Sequence, residues 1–129
     1  MSTSDCLVLA IEDSIIYMKV FVIFDILKGK FFICGKKVTS VEYEWVPFSF
    51  YCEKENVLMN FINLVMDDSV NIYLYNLNNL PISCDEISFD LLENSKHESC
   101  EIVKYINEDE CYNMTVLDCL ELLKQIRND

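Results

Sequence analysis

The chain has 129 residues, enough for one domain to bury roughly two-thirds of its unfolded surface without covalent staples. An apolar share of 52%, with only two glycines and two prolines, excludes a disordered or linker-rich chain. A net charge of −12 and a pI near 4.3 disfavour direct contact with nucleic-acid phosphates or an anionic membrane; a protein partner with a basic surface is allowed, while the simpler reading of the charge is a soluble acidic chain.

The charge is unevenly placed. Residues 1–64 hold eight acids and six bases, whereas residues 65–129 hold fourteen acids and four bases. Between Asp85 and Glu121, eleven carboxylates face only Lys96 and Lys104. One half therefore reads as fold-forming and the other as strongly negative.

Seven cysteines (Cys6, Cys34, Cys52, Cys84, Cys100, Cys111 and Cys119) make an odd count. The start, Met1-Ser2-Thr3-Ser4-Asp5, lacks the basic n-region of a signal peptide. The longest apolar run, Ile15 to Leu27, is broken by Lys19 and Asp25 and is too short to span a bilayer. A reducing compartment, cytoplasmic or nuclear, is the expectation, with the cysteines acting as small buried hydrophobes.

In chain order, Cys6–Ile11 is a short apolar run. Tyr17 to Ile26 is almost continuously apolar, as in a central strand covered on both faces. Lys28-Gly29-Lys30 turns the chain and Phe31–Cys34 returns as a hairpin. Val41, Tyr43 and Trp45 then alternate with Ser40, Glu42 and Glu44, a strand half in water. Pro47 interrupts it, so Phe48–Cys52 is expected to be a bent continuation or a separate edge strand.

From Glu53 to Met66 the period changes. Val57, Leu58, Phe61, Ile62 and Val65 form one helical stripe, with Glu53 and Glu55 suiting the dipole at its start. Val70, Ile72 and Leu74 alternate against Asn71, Tyr73 and Tyr75 in a further strand. Asn76 to Pro81 reads as a turn-rich loop, and Ile87–Glu93 and Ile102–Ile106 are ambiguous. A last helix is capped by Thr115 and buries Val116, Cys119, Leu120, Leu123 and Ile126.

The whole is expected to be α+β: an antiparallel sheet of five to six strands with two main helices on one face, a two-layer sandwich. A single domain over residues 1–129 carries an acidic insert at about 77–113. The order of hairpin, strand, helix, strand and closing helix resembles the small proteasome-assembly chaperones and, more loosely, longin-type trafficking subunits. The resemblance lies in the pattern of elements, without diagnostic residues.

Candidate chemistry is sparse. His97 is the single histidine and sits among Glu93, Glu98 and Glu101; Cys34 or Cys52 is its candidate nucleophile partner, against the simpler reading of a solvated loop histidine. His97, Cys100, Cys111 and Cys119 are soft ligands without the CxxC pair of a zinc site. Asp25 ends an apolar strand but has no second acid at close spacing, so no metal or cofactor is expected. Gly29 and Gly35 are the only glycines, which excludes a Gly-rich phosphate loop. Lys28, Lys30, Lys36 and Lys37 flank two turns, where a solvated surface is the simpler reading.

The aromatic strand residues remain. Tyr73, Tyr75, Tyr43 and Trp45 are the expected partner-binding residues, provided that the sheet face away from the helices is not covered by the chain's own segment 87–106. The expected function is a non-enzymatic protein-interaction module: an adaptor, an assembly-chaperone-like factor or a regulatory subunit. The alternative is an acidic inhibitor that presents Asp85, Glu86, Glu101, Glu108, Asp109 and Glu110 to a basic nucleic-acid-binding protein, imitating phosphates.

Overall fold

A computed structural model describes residues 3–13, 18–38, 44–65, 70–98, 100–106 and 112–125. Six strands form one antiparallel sheet: β1 (Thr3–Asp13), β2 (Met18–Asp25), β3 (Lys30–Val38), β4 (Trp45–Cys52), β5 (Val70–Pro81) and β6 (Cys100–Ile106). Their spatial order is β4-β3-β2-β1-β5-β6. The first four strands pair in succession; β5 then returns beside β1, and β6 closes the far side.

Strand periodicity sorts the core into two sets. Leu9, Ile11, Val20, Val22, Phe31, Ile33, Ile72 and Leu74 point to one face. Two helices cover them: α1 (Glu55–Val65) contributes Leu58, Met59 and Ile62, and a C-terminal helix contributes Val116, Cys119, Leu120 and Leu123. Each fully buried Leu, Ile or Phe here is worth about 1.5–3 kcal/mol of apolar burial. The two main helices thus share one face, as the sequence predicts.

The opposite face holds Val8, Ala10, Phe21, Ile23, Phe32, Cys34, Tyr75 and Leu77. It is covered by a 3₁₀ turn at Cys84–Glu86 and by α2 (Phe89–Glu98), which insert Cys84, Ile87, Phe89 and Leu92. The stretch expected as an acidic insert therefore supplies this cover, the end of β5 and the edge strand β6. Polar pairs fix α2 in place: Lys96 meets Glu12 of β1 and Glu93, and Glu93 meets Lys19 of β2 at 3.2 Å.

Two boundaries and the buried face of one helix differ from the sequence reading. Residues 76–81 continue β5, and the bulge they contain is set by Asn79. Cys6 pairs with Leu77 and Ser4 with Leu80, so β5 carries one extra residue. Asn79 takes it up at φ 57°, a conformation Asn tolerates, with its N–H donating to Asp5 Oδ1 at 3.2 Å. The C-terminal helix, α3 (Tyr112–Leu123), starts three residues before the expected Thr115 cap. In α1, Val57 is 52% exposed and Met59 replaces it in the core, because the stripe that meets the sheet runs through Leu58 and Ile62.

Gly35 serves packing. A Cβ there would lie 2.6 Å from Phe48 Cζ and 2.7 Å from the Lys19 carbonyl oxygen. Phe48, its partner on β4, lies over the glycine and fills the space that a side chain would take.

Candidate interaction surface

Among the described residues the sheet ends in two edges, β4 and β6, that have a strand neighbour on one side only and differ in character. On β4 the eight residues from Trp45 to Cys52 include no charged side chain. Trp45 is 44%, Val46 40% and Phe50 37% exposed. Pro47 sits in this strand opposite Lys36, a placement tolerated because β4 has a neighbour on one side only. Inward from the edge, Phe50 packs edge-on against Phe61 of α1 with centroids 5.1 Å apart. An aromatic side chain of α1 thus backs Phe50 on this face of the strand.

Beside β4, on the α2 side of the sheet, runs a shallow groove of about 400 Å³. Phe32, Pro47, Phe48, Ile87 and Phe89 make most of its wall. Lys36 closes one flank, bonded to Asp90 at 2.9 Å and lying 5.0 Å from the Phe89 ring centroid. Apolar floor with a charged rim is the layout of a protein-contact surface.

At the end of the β2–β3 hairpin, the buried Asp25 organises a polar cluster that reaches out to the surface. Its Oδ1 accepts the Leu27 and Lys28 N–H groups at 2.9 and 3.1 Å, and its Oδ2 accepts the Tyr51 hydroxyl at 3.2 Å. Lys28 Nζ donates to Tyr51 Oη at 3.2 Å and reaches Asp85 at 3.4 Å. The Asp25 carboxylate is thus engaged in shaping the turn and in holding Tyr51.

The thiols here are poor nucleophiles. Burial, the Asp25 charge and the Asp25 hydrogen bond push Cys84 up to about 12. Burial likewise raises Cys34, against the lowering pull of Lys36. His97 is exposed on α2, whereas Cys52 is buried among the residues of the opposite sheet face, so the two are not neighbours. Cys119 is buried on that opposite face too, which separates it from His97 and Cys100; Cys111 lies outside the described residues. Among the described residues no three His, Cys, Asp or Glu side chains gather as a metal site.

The expected aromatic residues divide. Tyr75 is 5% exposed beneath α2, with Lys96 5.7 Å from its ring centroid, so it belongs to the core rather than to a docking face. The chain's own α2 covers it. Tyr73 is half-buried between Tyr75 and Tyr105, at 5.5 and 4.9 Å. Trp45 is exposed at the β4 edge, and Tyr43 lies outside the described residues. Val46, Phe50 and the groove were not singled out in the sequence; an uncharged strand holding a proline was the available signal.

The acidic set is dispersed as well. Asp85 faces Lys28 near β4, while Glu101 lies on β6 at the other edge of the sheet. Glu86 is exposed on the 3₁₀ turn, and Glu108, Asp109 and Glu110 lie outside the described residues. Of the lysines expected at two turns, Lys36 and Lys37 lie instead within β3, whose ladder with β2 and β4 runs on through Gly35; Lys28 pairs with Asp85, Lys30 with Glu53 and Lys36 with Asp90. No described helix is long and apolar enough to cross a membrane. Comparisons with family models, curated proteins and solved structures give no match.

Proposed function

We propose that this chain is a non-enzymatic protein-interaction module that takes its partner along β4 and the groove beside it. One observation carries the reading: an edge strand without charges, in a chain of net charge −12, exposes Trp45 on the α2 side of the sheet and Val46 and Phe50 on the α1 side, Phe50 being backed by Phe61. Exposed apolar side chains beside unpaired strand amides and carbonyls suit a partner that adds a strand or seats an aromatic anchor. The partner contact is apolar, so it survives high salt.

The test is affinity capture from native lysate with stepwise salt elution, beside competition by DNA. The wild-type chain is compared with Trp45→Lys and Phe50→Lys. A single partner retained at high salt, indifferent to DNA and lost in both variants supports the reading. Release of a nucleic-acid-binding protein at modest salt or by DNA would overturn it in favour of acidic mimicry.

A further inference from the structure

The other edge, β6, is built differently. Cys100 to Tyr105 are all exposed, with Ile102 at 57%, Val103 at 48% and Tyr105 at 43%. Between two apolar residues and their flanks runs a short charge pattern, Glu101-Ile102-Val103-Lys104. Among the described residues neither Glu101 nor Lys104 has an ion-pair partner, a state that Lys104 shares with Lys37 and Lys54 while the other six described lysines are paired.

Read antiparallel against itself, the segment matches: Glu101 meets Lys104, Ile102 meets Val103, and the pattern repeats on the other side of the axis. Two antiparallel strands pair only residues that point to the same face, and in a regular strand positions 101 and 104 point to opposite faces. The β5–β6 register removes that obstacle. Leu74 pairs with Lys104, Tyr75 with Ile102 and Asn76 with Glu101, so Val103 is an extra residue. Leu74 and Asn76 lie two apart on β5, which puts Lys104 and Glu101 on one face. By the same register Cys100 and Tyr105, opposite Leu77 and Tyr73, share the other.

We propose that two copies of this chain associate through β6. The strands run antiparallel about a two-fold axis perpendicular to the sheet, between Ile102 and Val103. Glu101 of each copy faces the partner subunit's Lys104, and Ile102 faces the partner subunit's Val103. Cys100 then lies opposite the partner subunit's Tyr105. The contact is isologous and closes on itself, so it gives a dimer and not a fibre. It uses the sheet edge remote from β4 and stands independently of the function proposed for that edge.

A single strand pair buries less than the roughly 1,200 Å² of a standard interface, so a dissociation constant on the order of tens of micromolar is expected. Sedimentation of the full chain from about 5 to about 500 µM, in about 0.15 M salt where repulsion between acidic chains is screened within about 8 Å, reads it directly. The wild type passes from monomer to dimer over this range. E101K places lysines opposite lysines and K104E places acids opposite acids, so each weakens the dimer tenfold or more. An equimolar mixture of the two variants forms a heterodimer, and the doubly substituted E101K/K104E chain dimerises like the wild type. Hydrogen exchange of β6 amides in the wild type slows as concentration rises, a readout that needs no variant. A wild type that stays monomeric throughout, single variants that dimerise unchanged, or a mixture that fails to associate would overturn the proposal.

Discussion

The Tyr51 hydroxyl donates to Asp25 Oδ2 at 3.2 Å, joining the edge strand β4 to the turn between β2 and β3. Asp25 is 2% exposed, and its other oxygen already holds the turn through two backbone N–H groups. Asp25→Ala removes all three bonds and leaves the amides without acceptors, so a loss of about 2–4 kcal/mol is expected in urea unfolding. Tyr51→Phe loses one bond and about 1 kcal/mol. Equal effects from the two would show that the turn is not held by the carboxylate.

Gly35→Ala sets a new methyl against Phe48 and the Lys19 carbonyl, with an expected cost of about 1–3 kcal/mol. Trimming the ring by Phe48→Leu in the same chain recovers only part of the loss, since the carbonyl cannot move without shifting β2. Full recovery would place the whole conflict at the ring.

Lys96 is the bolt of α2. Burial lowers its ammonium, and the hydrogen bond and charge of Glu12 with the charge of Glu93 outweigh that, leaving it above its ordinary value. Lys96→Met removes the cation and leaves Glu12 without its partner and Glu93 with Lys19 alone, with an expected loss of about 1–3 kcal/mol. Hydrogen exchange should show α2 amides losing protection before those of β1 and β2. Simultaneous loss across all three would mean that α2 does not open separately.

Cys84 titrates from an ordinary value of 9.0 to about 12 in the folded chain. Below pH 9 the thiol is protonated in both states and costs nothing. Between pH 9 and about 12 the unfolded chain sheds this proton while the folded chain keeps it, so stability falls as pH rises. Cys84→Ala flattens that limb of a stability-against-pH curve. In thiol labelling at pH 8, exposed Cys100 reacts in the native state, and Cys34 and Cys84 react only on unfolding.

How much of this was legible follows from particular residues. The alternation of Val70, Ile72 and Leu74 against Tyr73 and Tyr75 assigned both faces of β5, and the Leu58–Ile62 spacing assigned α1. A period reports which way a side chain points and is silent on what lies over it, which is why alternation alone puts Tyr75 on a sheet face without showing that α2 covers it. α2 was ambiguous because Glu93 to Glu98 is polar throughout; its helix is held by Phe89, Leu92 and ion pairs to strands far away in sequence. Asn76–Pro81 carried turn composition, and only the pairing with β1 turns one left-handed Asn into a bulge inside a strand. The β4 surface is half visible in the sequence: alternation picks out Trp45, whereas Phe50 and the groove depend on α1 and α2 folding back.

The place of β1 in the middle of the sheet also sets a timetable. Strands β1 to β4 pair with neighbours that follow directly, but the second side of β1 waits for β5, which begins at Val70. At roughly 5–20 residues per second, a ribosome leaves that side bare for several seconds. The bare stretch is Val8-Leu9-Ala10-Ile11, each 1% exposed or less once the sheet is complete. During that interval the nascent chain offers a sticky template, and its safe delivery depends on how quickly translation brings out the segment that seals it.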